Sequence, residues 1–311
     1  MNIQKPVYIY ASLMAAFFTV ALFTSYSANT DTIPPAAPTI KADGLGQVVQ
    51  SIPLKDAYNF AGERLPLENF DVRERLEREL EVNSYWHSST LQNLQLSTRY
   101  FPVFERILAE QGIPDDFKYL AVAESSLRHP TSPAGAKGIW QFMKNTAEEY
   151  GLEVNSEVDE RLHVEKVTLA ACEYLKKRYE KFGSWTLAAA AYNAGERRIS
   201  NESEEQYAEN YYDLNLNAET ARYIFRIVAI KEIMSNPEKF GFHLRPEAYY
   251  KPLDDYGVIK VEESIPSLGA FAKKYNVSYR MLKVYNPWLT NGSLTVSGKK
   301  DYEIRIPTAT K

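Results

Sequence analysis

The chain has 311 residues and a formal net charge of −4, which leaves room for one large and one small domain and gives no basic excess to hold nucleic acid or an anionic membrane surface. Its single cysteine, Cys172, excludes an internal disulfide framework and a multi-cysteine metal site. The four histidines, His87, His129, His163 and His243, are scattered without HExxH spacing, and neither a GxSxG elbow nor a phosphate-binding glycine loop occurs, so no metal or other cofactor is expected.

In chain order, Lys5 and the uncharged, mostly apolar stretch Val7–Phe23 predict an export signal over residues 1–27, either cleaved after Ser27 or retained as a membrane anchor. Residues 28–70, with TDTIPPAAPT near their start, read as an extended linker. Helical periodicity then predicts helices at Val72–Leu80, Leu91–Gln111 (closed by Gly112), Pro114–Leu127, Ile139–Tyr150 (closed by Gly151) and Val164–Phe182 (stopped by Gly183). Ser184 is expected to cap an alanine-rich helix Trp185–Tyr192, and Asn217 a strongly apolar helix Ala218–Met234. Residues 71–245 therefore predict a mainly α, all-helical globule. After a linker over 246–257, residues 258–311 read strand–helix–helix–strand, with strands at Val258–Val261 and Tyr302–Ile306 and Ser278 capping the second helix.

Glu124 stands out. It shares the helical stripe of Phe117, Leu120, Ala121 and Leu127, where an isolated carboxylate is costly. Two readings follow. One is an ion pair with an Arg or Lys across the core. The other is a carboxyl whose pKa burial lifts into the range of a proton donor.

Four segments in order, ESSL (Glu124–Leu127), SPAGAKGIWQFM (Ser132–Met143), AYNAG (Ala191–Gly195) and ETARYIF (Glu219–Phe225), closely resemble the soluble lytic transglycosylase family. These are lysozyme-like enzymes that cut the glycan of bacterial peptidoglycan, and the likeness is nearest to their membrane-bound murein branch. It runs from about Val72 to Phe242. The resemblance implies a lysozyme-like all-helical catalytic domain acting on peptidoglycan glycan strands; with the N-terminal export signal, the chain is expected as a monomer in the periplasm or cell envelope. It implies that Glu124 is the catalytic residue, first acid and then base, leaving a 1,6-anhydromuramic acid end without water. By motif, substrate contacts fall to Ser125, Gly138, Gln141, Met143, Tyr192, Asn193 and Tyr223. Trp140 is assigned to the core, and Asp159 and Glu160 to structural roles.

The residues themselves leave alternatives open. Ser125 suits a bond to a backbone carbonyl, Asn193 a helix cap, and Glu219 and Thr220 first-turn capping. A hydrolytic muramidase of the same fold, or a non-catalytic wall-binding scaffold, stands beside the lytic reading. The C-terminal segment, with AKKYNVS and Asn286, looks like a LysM module but carries Ile265, Pro266 and Ser267 where that family usually has Gly-Asp-Thr. A spacer or docking role therefore stands beside glycan binding. The catalytic reading makes one demand: Glu124 should lie in an apolar pocket at the base of a groove, near Gln141, Tyr192 and Tyr223, without a basic partner.

Overall fold

A computed structural model describes residues 49–298 and 300–308; the expected signal or anchor over 1–27 lies outside the described residues. Among the described residues no helix is long and apolar enough to cross a membrane.

The chain first forms a tight hairpin, β1 (Asn59–Phe60) against β2 (Glu63–Arg64). The expected linker over 28–70 is thus folded at its end: Tyr58, Phe60, Leu65 and Leu67 are buried in the main core. Its sequence lacks a long periodic run because the hairpin contributes single anchors rather than a face. Glu63 gives it a second hold. Its carboxylate accepts from Ser184 Oγ (2.9 Å), Thr186 N (2.9 Å) and Thr186 Oγ1 (2.8 Å), at the positive end of the alanine-rich helix.

Helices α1 (Phe70–Tyr85) and α2 (His87–Gln111) are longer than the periodicity suggested. Gly112 closes α2 at φ 66°, as expected of a left-handed cap. Helix α3 (Phe117–Ser125) carries Glu124. It starts later than Pro114 because residues 114–116 form a turn, and it stops early because Ser126 and Leu127 take φ 52° and 55°. Two successive left-handed non-glycine residues cost about 1–2 kcal/mol each, and that strain sits immediately after the candidate acid.

The expected helix Ile139–Tyr150 is corrected: only α4 (Lys144–Glu149) is helical. Gly138 at φ 85° and Gln141 at φ 49° fold residues 137–142 into a turn closed by Lys137 N to Phe142 O (3.0 Å). The helix-like spacing arose because Ile139, Trp140 and Phe142 are all buried, from different sides of that turn.

Helix α5 (Val164–Phe182) and α6 (Trp185–Ala194) form the centre. Ala188 to Ala191 are fully buried, and the small side chains let α6 pack closely on α5 and on α8 (Ala218–Ser235). Ser184 caps α6 by accepting from Leu187 N, and Asn217 caps α8 by accepting from Glu219 N and Thr220 N. Helix α7 (Glu196–Gln206), which carried no clear apolar stripe, buries only Ile199.

The C-terminal module pairs β3 (Tyr256–Val261) antiparallel with β4 (Tyr302–Pro307), in register Ile259↔Ile304. Between them lie α9 (Leu268–Lys274), capped by Ser267, and α10 (Tyr279–Tyr285), capped by Ser278. Leu268, Leu282, Leu289 and Ile304 form its separate core.

Candidate active site

The end of α3 presents Glu124 to α8 and α6. Tyr223, one turn into α8 and 1% exposed, donates its phenol to Glu124 Oε1. Glu124 keeps a partly exposed face, as a group that reaches a substrate must. Burial dominates even so and raises its pKa to about 7; the Tyr223 hydrogen bond and the charge of Arg226 pull down, and Glu219 pushes up. A carboxyl at that value holds its proton near neutrality and can give it away.

No ion pair joins Glu124 to a Lys or Arg among the described residues. Arg226 is close enough to attract it, but its guanidinium is bonded to Glu219 (3.0 Å). Glu219 thus does more than begin a helix. Sequence reasoning missed Arg226; its position one turn beyond Tyr223 was the available signal.

Tyr192, at the other side, feels the Glu124 charge, and burial raises its phenol well above the ordinary value. Its hydroxyl donates to Trp140 O (2.6 Å), which ties α6 to the turn bearing Gln141. Glu124, Tyr192 and Tyr223 are therefore one electrostatic cluster. Removing the Tyr223 hydroxyl should raise the Glu124 pKa further, since the lost bond favoured the carboxylate. In Tyr223→Phe, the falling alkaline limb of any Glu124-dependent activity is expected to move up by about one pH unit. An unmoved limb would show the two groups to be uncoupled.

Other predicted site residues sit differently. The Ser125 hydroxyl turns back to Ala121 O (3.0 Å), inside the helix. Asn193 accepts from Thr220 Oγ1 (2.9 Å), joining α6 to α8. Gln141 donates its amide to Gly138 O (2.8 Å) and Pro130 O (3.2 Å), leaving its carbonyl as the free end. Met143 is 44% exposed at the start of α4. Gly138 faces the Arg161 carbonyl, where a Cβ would stand 2.0 Å from the oxygen. Trp140 is fully buried, its indole donating to Thr168 Oγ1 (3.0 Å).

Beside the end of α3 lies a cavity of about 320 Å³, lined among others by Asn83, Trp86, Asn93, Ser126, Arg222 and Arg226. Trp86 is 59% exposed, while Asn93 is nine-tenths buried with no partner for Oδ1 among the described residues. Ile230, Ile233 and Met234 supply an apolar wall.

Residues 102–215, which hold Glu124, the Gln141 turn and Tyr192, match the family model described as the transglycosylase SLT domain. This segment is an SLT domain. Residues 258–310 match the soluble lytic transglycosylase C-terminal LysM-like domain. The chain is similar to membrane-bound lytic murein transglycosylase D of Escherichia coli, in strains K12 and CFT073, at 28% identity over 253 residues. That alignment covers 78% of this chain and 54% of theirs, so the chain spans about half the length of those relatives. Among solved structures, the 70 kDa soluble lytic transglycosylase of E. coli aligns at 19% identity and a TM-score of 0.40, over 60% of this chain and 32% of that one. Tyr223 lies outside the matched SLT segment, yet supplies the side-chain hydrogen bond to Glu124 found among the described residues.

Proposed function

We propose that the chain is an exported peptidoglycan lytic transglycosylase of the cell envelope. The observation that carries this is a carboxyl at about pKa 7, held by Tyr223 and free of an ion pair among the described residues, at the helix end of an SLT domain. Glu124 gives its proton to the glycosidic oxygen between N-acetylmuramic acid and N-acetylglucosamine as the bond to the anomeric carbon breaks. The muramic acid's own acetamido group assists at that carbon. The carboxylate then takes the proton of the C6 hydroxyl, whose oxygen closes on the anomeric carbon. One carboxyl thus serves both steps and water is not consumed.

The test is digestion of purified sacculi followed by mass analysis. Muropeptides ending in anhydromuramic acid are expected. Reducing ends would replace this reading with a hydrolytic muramidase, and intact glycan would leave only a wall-binding role.

The cavity beside α3 extends the same proposal. Trp86 offers an exposed ring face for a sugar, Asn93 an unsatisfied acceptor for an acetamido N–H, and the apolar wall a place for the acetamido methyl. Trp86→Ala is then expected to raise KM for long glycan about 10-fold with kcat little changed, the pattern of lost uniform binding. Equal KM values in the two proteins would remove the cavity from the substrate path.

A further inference from the structure

The segment 153–165, which runs from after α4 into the first turn of α5, is attached on two sides. Toward the C-terminal module, Val158 and Leu162 are buried in that module's own core, beside Leu268, Leu282 and Leu289. Val158 bridges Leu289 antiparallel, Asp159 N donates to Trp288 O (2.8 Å), and Thr290 N donates to Glu157 O (2.8 Å). The Glu157 carboxylate accepts from Ser293 Oγ and from Thr295 N (2.7 Å), and these bonds hold its pKa below the usual range. Arg305 pairs with Glu165 (2.6 Å), and Tyr302 donates to Glu153 (3.0 Å).

Toward the SLT domain, the same few residues grip the turn that carries Gln141. Asp159 accepts from Arg161 Nε and Nη2 (each 2.9 Å) and pairs with Lys137 (3.1 Å). Arg161 Nη1 donates to Gly135 O (3.0 Å) and Phe142 O (3.2 Å). The Arg161 carbonyl fills the space where Gly138 has no Cβ.

The geometry points to the C-terminal module as a brace for the active-site turn, with Asp159 and Arg161 as positioning residues that transmit its hold to Gln141. Domains joined by a linker move by default. Here the join is a strand bridge with shared apolar burial, so loosening the module loosens residues 157–162. Those residues hold the turn alongside Tyr192 on Trp140 O, the Trp140 indole on Thr168 and the Gln141 amide on Pro130 O. The module then acts on cleavage without touching glycan, and its departure from the LysM pattern at Ile265, Pro266 and Ser267 costs nothing for this role. The effect on rate rests on the lytic reading; the mechanical coupling does not.

The test uses the full chain and two readouts. In Leu289→Ala, which thins the contact with Val158, and in Arg161→Met, which cuts the clamp, amide exchange at Lys137, Gly138 and Gln141 should rise at least about 10-fold while α5 stays protected. On sacculi, kcat should fall about 10-fold with KM within about threefold, and the alkaline limb set by Glu124 should not move. Arg161→Lys should recover part of the protection. If Leu289→Ala does not fold, Glu157→Ala removes the surface bonds and leaves both cores intact, with the same expectation. Loosened amides in β3 beside an unchanged 137–142 turn would overturn the brace. If the wild type releases no anhydromuropeptides, the lytic reading falls and exchange alone still decides the brace.

Discussion

Glu124→Gln is expected to lower glycan cleavage by at least about 10³-fold while leaving binding to sacculi and the fold intact. General acid–base catalysis by one positioned group is worth roughly 10²–10⁴, and in the proposed mechanism one group serves both proton transfers. The amide keeps the shape and can still accept from Tyr223. The substitution also carries a stability signature. Burial raises the folded-state pKa of Glu124 to about 7, above the value in the unfolded chain. Its stabilising contribution is therefore complete below the unfolded-state pKa and is lost as pH rises through the folded one. At pH 8 the wild type must hold a desolvated carboxylate and the Gln variant need not. The variant should then be the more stable protein by on the order of 2 kcal/mol, the gap closing toward pH 4. Loss of cleavage with gain of alkaline stability, read by activity assay and thermal melts across pH, would separate a proton-transfer role from a structural one. A Gln variant less stable than wild type at pH 8 would mean that the carboxylate is wanted by the fold.

Most helices were legible because their signals are local. Gly112 and Gly183 close helices at positive φ, and Ser184 and Asn217 cap the next ones with their own side chains. Glu124 was legible as an acid on an apolar stripe, and its partner Tyr223 through the ETARY segment. What failed to show was set by distant parts of the chain. The β1–β2 hairpin is held by buried single anchors and by Glu63, which meets the start of α6 more than a hundred residues away. The turn at residues 137–142 imitates a helix in sequence, and its path is set by distant partners, the Arg161 guanidinium and carbonyl among them. Arg226 draws on the Glu124 charge while its guanidinium is bonded to Glu219, a relation visible once the helix is built. The sequence assigned Asp159 a structural role, and its bonds to Arg161 and Lys137 fit that description; the direction of its hold, toward Gln141, needed the fold.

The turn yields the second large effect. Gly138→Ala is expected to destabilise the protein by about 3 kcal/mol or more and to lower cleavage in the surviving fold. Two costs combine. The residue sits at φ 85°, where an L side chain is strained, and its Cβ would stand 2.0 Å from Arg161 O, a backbone atom that cannot swing away. Relief requires the turn and the 157–162 segment to part, and parting breaks the Arg161 bonds to Gly135 O and Phe142 O. Gly135→Ala isolates the first cost: Gly135 has φ 88° with nothing within 4 Å of its Cβ position, so backbone strain alone should cost it about 1 kcal/mol. For a body of this size each kcal/mol moves the melting temperature by roughly 2–4 °C, which makes the difference between the two variants measurable by calorimetry. Equal losses would mean that the collision with Arg161 is absorbed, and that the turn bearing Gln141 is held less tightly than its bonds to Arg161 require.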